Sequence, residues 1–317
     1  MSATPADPSP DTSSYRRGPH IVAVLVAIAL FPLVFVGAGV TSKEAGMAYP
    51  DWPTSSGHLV NPPGWWQTEA TRWEHGHRLL GWLVGMLATA LAILSWPRGG
   101  VVRVLSLVTL GAIGIQGVLG GLRVIEISTT LAMVHGIWAH GCFCLASSAA
   151  LVTSRSWHAN RGRYDLSGGE ILFRRLCLAG CVAIFLQLVL GAAQRHLASN
   201  GALIAHLLWA VAVTLLVGWI VIWVMGQHPG RDLVETLSWL LGGLMVVQLM
   251  LGGVAWVVTV AGGVRSSLLV WLIPSAHVAV GALLLGSCVL LTLCAYRMFR
   301  GVSLPLEAPR PTRVTTP

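Results

Sequence analysis

ALIAHLLWAVAVTLLVGWIVIWVMG, residues Ala202 to Gly226, holds one histidine, one threonine and no side chain that is charged at neutral pH. A helix of about 20 residues crosses a hydrocarbon layer of roughly 30 Å, so this run is long enough to span a membrane. Inside lipid the backbone has no water to bond, which leaves a helix as the conformation for a single apolar segment. Reading outward by the same criterion finds further runs at 20–41, 77–96, 101–121, 129–153, 172–193, 236–260 and 268–296. The expected fold is therefore an all-α integral membrane protein with eight transmembrane helices. Composition agrees, since 55% of the 317 residues are apolar and only 10% are charged, a balance that soluble domains do not hold. In the last run, Pro274 is expected in the first turn of a helix reaching about Tyr296, with Ser267 to Ile273 as an approach segment.

Lys and Arg in short loops stay on the cytoplasmic side. One set of connections carries Arg16, Arg17, Arg98, Arg103, Arg155, Arg161, Arg163, Arg174, Arg175, Arg231, Arg297, Arg300, Arg310 and Arg313. The opposite set holds only Lys43 and Arg72 among acids, then Arg123, Arg195 and Arg265. Both termini are thus expected in the cytoplasm of a multi-pass protein of the cytoplasmic (inner) membrane. The net charge of +8 reflects this bias, so membrane lipid and not nucleic acid is the expected surroundings. Residues 1–18 and 301–317 read as disordered tails rich in Pro, Ser and Thr. All six cysteines, Cys142, Cys144, Cys177, Cys181, Cys288 and Cys294, fall within expected spans, where small apolar packing is the ordinary role.

A motif recurs near the outer ends of three helices: Gln116-Gly-Val-Leu-Gly-Gly, Gln187-Leu-Val-Leu-Gly-Ala and Gln248-Leu-Met-Leu-Gly-Gly. Its glycines allow close approach of a backbone or of a flat ligand. Gly120 precedes His135, and Gly191 precedes His206, by the same 15 residues. These agreements divide the chain into a first four-helix half at 19–154, a cytoplasmic linker at 155–171 and a second four-helix half at 172–300. Four spans return a chain to its starting side, so the repeat is parallel.

Histidine is costly at membrane depth and marks function there. His77, His135, His206 and His277 lie one on each even-numbered span, all toward the outer side. Two per half is the number that ligates a haem iron from both faces. A lone buried histidine is usually structural, but four at related positions argue for ligation. His75 and His196 border outer helix ends, and His140 lies five residues past His135 with no counterpart in the other half. Glu74, three residues before His77, suits either a proton acceptor or a helix N-terminal acid favoured by the dipole. Arg78, Arg123, Arg195 and Arg265 stand where they could pair with haem carboxylates or snorkel to the interface.

Several stretches resemble the haem A synthase family across essentially all eight spans. They are Val36-Gly-Ala-Gly-Val-Thr-Ser, Ala45-Gly-Met-Ala-Tyr-Pro-Asp-Trp-Pro, Glu74-His-Gly-His-Arg-Leu-Leu-Gly, Leu131-Ala-Met-Val-His-Gly and the Gln-x-x-Leu-Gly helix ends. The Pro-Asp-Trp-Pro and Glu-x-x-His-Arg matches are the specific ones. The resemblance implies oxidation of a methyl group of haem O to the formyl group of haem A, the product serving terminal oxidases. It implies that His77 and His135, with Arg78 and Arg123, hold the substrate haem O. It likewise implies a haem b cofactor on His206 and His277, with Arg195 and Arg265, and a catalytic acid at Glu74. Haem O synthase and the terminal-oxidase assembly machinery are the partners it suggests. Several relatives carry a cysteine pair in the first outer loop, and this loop has none. Two other classes use the same histidines: a di-haem electron-transfer cytochrome, and a haem transporter or assembly factor.

Overall fold

The computed structural model describes residues 15–159, 169–227, 233–259 and 267–297. Eight long helices account for most of them: α1 (Arg17–Ser42), α2 (Glu69–Ser95), α3 (Gly100–Ile125), α4 (Thr129–Val152), α5 (Glu170–Leu197), α6 (Asn200–Gln227), α7 (Leu233–Thr259) and α8 (Ser267–Arg297). All eight are long and apolar enough to cross a membrane. Among the described residues there is no β-strand, only one isolated bridge between Ser55 and His58. A short helical turn, Arg155–Ala159, opens the expected linker; residues 160–168 of that linker, most of both tails, and Arg265 lie outside the described residues.

Helix ends depart from the hydropathy reading where polar residues begin them. Helix α2 starts at Glu69, eight residues ahead of the expected 77, because Thr68 caps it by accepting the Thr71 N–H at 3.2 Å. Its first turns are polar and leave no hydropathy signal, yet they place Glu74 and His77 on one continuous helix. The expectation for Pro274 is wrong: α8 begins at Ser267 and runs through the proline. Proline removes one backbone bond, and the adjacent Ser275 hydroxyl donates to Trp271 O at 2.6 Å, holding the turn beside it.

Helix α1 packs on α2 and α4, with α2 against α3 and α3 against α4. In the second part, α5 packs on α6 and α8, α6 on α7, and α7 on α8. The two groups meet where α1 and α4 contact α8 and where α4 contacts α5. Fully buried Val26, Val84 and Leu91 anchor the first group, and Phe173, Ile220, Leu241 and Leu291 the second. On α6, Leu208, Val211, Leu215, Trp219 and Ile222 form an exposed stripe at helical spacing, the surface that a lipid environment accepts and water does not.

Candidate functional site

Each even-numbered helix sets its histidine against a glycine of the helix before it. A Cβ added to Gly37, Gly120 or Gly191 would stand 2.9 Å from Cε1 of His77, His135 or His206, and one on Gly252 would stand 3.0 Å from that of His277. No other residue type leaves space for the ring. The sequence motif revealed three of these glycines and missed Gly37, because α1 carries Leu33 four residues before it where the others carry glutamine.

The glutamines orient the rings. His135 donates from Nδ1 to Gln116 O at 3.1 Å, while the Gln116 amide donates to His135 O at 3.1 Å and lies 3.2 Å from His135 Nε2. The same three contacts recur 71 positions later between His206 and Gln187, at 3.0, 2.9 and 3.3 Å. Trp138 and Trp209 repeat the pattern one turn on, donating at 2.9 Å to Ala112 O and Ala183 O. Gln248 reaches His277 Nε2 at 3.2 Å.

The rings come together in twos. Ring centroids of His77 and His135 stand 6.4 Å apart, and those of His206 and His277 stand 6.3 Å apart. Two metal–imidazole bonds of about 2 Å end to end, plus the depth of two rings, give a centroid separation of roughly 6 Å. Each pair therefore has room for one metal ion between its imidazoles. Both face a shared cavity of about 1700 Å³, well beyond the roughly 300–1,000 Å³ of a site for one drug-sized ligand. Buried Nδ1 of His77 and of His277, and buried Oε1 of Gln116, Gln187 and Gln248, have no hydrogen-bond partner. A mostly apolar, glycine-walled cavity between two histidine pairs fits a flat macrocycle with a metal at its centre. Among the described residues no three or more His, Cys, Asp or Glu gather as a metal cage.

The expected acid Glu74 and three of the expected arginines, Arg78, Arg123 and Arg195, line the same cavity and also hold the chain around it. Glu74 is buried, and its carboxylate accepts the Ala48 N–H at 2.6 Å and the Tyr49 N–H at 3.2 Å while pairing with Arg78 at 2.5 Å. Arg78 donates onward to Asp51 O at 2.8 Å and Thr54 O at 2.6 Å. Arg123 donates to Gly46 O at 3.2 Å. Arg195 crosses to α1, donating to Ala38 O at 2.8 Å and Ser42 Oγ at 2.7 Å. The first outer loop is thus tied down by residues expected to serve a ligand. Its Asp51 accepts from Gly57 N, Thr54 Oγ1 and Ser56 N, bonds that hold the carboxyl down at about 2. Burial raises the Tyr49 phenol above its ordinary value, and the nearby Glu74 charge adds to this.

Three further histidines find places. His75 contacts Ser55 Oγ at 3.3 Å and Asn61 Oδ1 at 3.2 Å, fastening the loop. His196 lines the cavity. His140 is buried between the helix groups, with Nδ1 donating to Gly136 O at 2.8 Å and Nε2 at 3.4 Å from Val278 O. Those carbonyls belong to the residues directly after His135 and His277. In the sequence His140 could compete as a ligand but lacks a repeat counterpart; its partners in the fold are backbone atoms that leave no trace in a motif.

Paired histidines around one large cavity invite comparison with known proteins. The chain is distantly similar to haem A synthases. It is 25% identical over 205 residues to the haem A synthase of Hyphomonas neptunium, covering 53% of this chain and 56% of that protein. It is 29% identical over 156 residues to the haem A synthase of Granulibacter bethesdensis, covering 47% of this chain and 39% of that one. The chain spans about half the length, or less, of these curated relatives. No family model matches it.

Proposed function

We propose that this chain is a haem A synthase that oxidises a methyl group of haem O to a formyl group. The observation that carries the reading is the pair of matched two-histidine sites facing one cavity. In this reading His77 and His135 hold the substrate haem O, with Arg78 and Arg123 beside it. His206 and His277 hold a haem b, with Arg195 on its edge; Arg265 is assigned there by resemblance alone. The haem b would relay the four electrons released, one at a time, to an oxidant outside the chain, a task no side chain can perform. The two sites belong to parallel four-helix repeats, a view supported by the recurrence of the His135–Gln116 and Trp138–Ala112 contacts at His206 and Trp209.

Carrying a methyl to an aldehyde with water as oxygen source releases protons as well as electrons. Glu74 is the acceptor proposed for one of those protons. A carboxylate has about four lone-pair positions, and Ala48 N, Tyr49 N and Arg78 take three, which leaves one unclaimed on a side chain that lines the cavity. The same bonds favour a second reading, in which Glu74 anchors the outer loop. Arginine distribution supports both termini in the cytoplasm and both histidine pairs toward the periplasmic side of the inner membrane. Haem O synthase and terminal-oxidase assembly proteins are the proposed partners.

Co-expression with a haem O supply, followed by extraction and haem analysis, tests the function. Haem A is the expected product. Its absence, with two unmodified haems bound, favours a di-haem electron carrier; a single haem O that exchanges freely favours a haem carrier.

A further inference from the structure

The four histidines are not held alike. His135 and His206 each donate from Nδ1 to a backbone carbonyl of the preceding helix, Gln116 O at 3.1 Å and Gln187 O at 3.0 Å. In a neutral imidazole this fixes the proton on Nδ1 and leaves Nε2, beside the Gln116 or Gln187 amide at 3.2 and 3.3 Å, as a stronger donor to a metal that displaces that amide. Nδ1 of His77 is buried with no partner, whereas Nδ1 of His277 meets the Gln248 backbone only outside good bonding geometry. No backbone carbonyl bonds His77, and Leu33 stands where the other three helices carry glutamine.

We infer that His77 is the exchangeable axial ligand of the first pair, and that His135 is its fixed anchor. The inference rests on reading that pair as a haem site. Ligation through Nε2 requires the proton on Nδ1. At His135 that N–H meets a carbonyl already in place, whereas at His77 it is buried and unmet, which weakens the bond to iron. His77 also packs against Gly37 with no polar contact to hold its ring angle. The order of hold is then His135 and His206 first, His277 next and His77 last. A substrate has to enter and leave while a resident cofactor stays, so the weakest ligand falls in the pair where exchange is needed. Release of His77 opens the iron face toward α1 and α2, the side from which Glu74 and Arg78 reach the cavity.

The test uses the full chain loaded with haem B, reduced, and exposed to carbon monoxide. Carbon monoxide should take the first-pair iron about 10-fold faster than the second. After photolysis, the iron–histidine stretch of the five-coordinate product reports the histidine that remains. It should match the His77→Gly variant, which retains carbonyl-bonded His135, and differ from His135→Gly. If the glycine variants do not accumulate, the wild-type band decides: a frequency typical of an Nδ1-bonded histidine supports the inference, and an unbonded one overturns it. Carbon monoxide binding first at the His206–His277 iron, with two haems present, overturns it while leaving the haem reading intact. Uptake of one haem only, unaffected by His77→Gly or His135→Gly, overturns the haem reading of the first pair and this inference together.

Discussion

At the residue scale, Glu74 carries the question of chemistry against architecture. Gln keeps the size and one acceptor oxygen but loses the charge, so Glu74→Gln weakens the loop bonds only partly. Loss of a general base lowers rates by about 10²–10⁴. The expected outcome for Glu74→Gln is normal expression and haem b content with little haem A. Wild-type haem A yield removes the catalytic role, and a protein that no longer accumulates assigns the residue to the loop. His206 and His277 make a separate case, because they belong to the pair proposed for the resident haem. His206→Ala or His277→Ala should strip most haem b from the purified protein, and an unchanged spectrum in either variant rules the assignment out.

At the scale of elements, the helical hairpins are tuned by glycines that leave just the thickness of an imidazole. Gly191→Ala adds one methyl 2.9 Å from His206 Cε1, and a helix backbone cannot yield to it, so the ring must turn. Helix propensity alone favours the alanine by about 1 kcal/mol. Overpacking costs about 1–3 kcal/mol, roughly offset by that gain, so the variant should still accumulate while losing haem b, measured by the haem-to-protein ratio. The first outer loop answers to pH instead. Asp51 titrates at about 2 through its bonds to Gly57, Thr54 and Ser56, below the roughly 3.9 of an unfolded aspartate. A depressed value means the stabilisation is complete above about pH 4 and fades as pH falls through 2. Cleavage of the loop by an acid-active protease should rise across that window, and Asp51→Asn should open the loop already at higher pH.

For the whole molecule, orientation sets which compartment the histidine pairs face. His58, Glu126 and Ser156 are exposed, and in the proposed orientation the first two lie on outer connections and Ser156 on an inner one, so a membrane-impermeant thiol reagent applied to intact cells should label His58→Cys and Glu126→Cys and miss Ser156→Cys. Native cysteines all lie within helices and none is exposed, so background labelling is low. The reverse pattern inverts the topology. The seam between the helix groups depends on contacts of a different kind, such as Arg195 on Ala38 O and His140 between Gly136 O and Val278 O.

The sequence by itself determined the eight spans, since length and hydropathy act locally on each segment and lipid admits only a helix. It also set His77, His135, His206 and His277 each in the first half of its helix, because position along a helix follows from residue number. The tertiary structure alone decided the rest. The early start of α2 hung on the Thr68 cap, and Pro274 was absorbed into α8 by its surroundings. Gly37 joined the other three glycines through contact with His77 and not through any shared motif. The holds on His135, His206, His140 and Glu74 are made by carbonyls and N–H groups of distant backbone. Every residue but proline carries those groups alike, so no side-chain pattern could announce which of them would arrive beside a ring or a carboxylate.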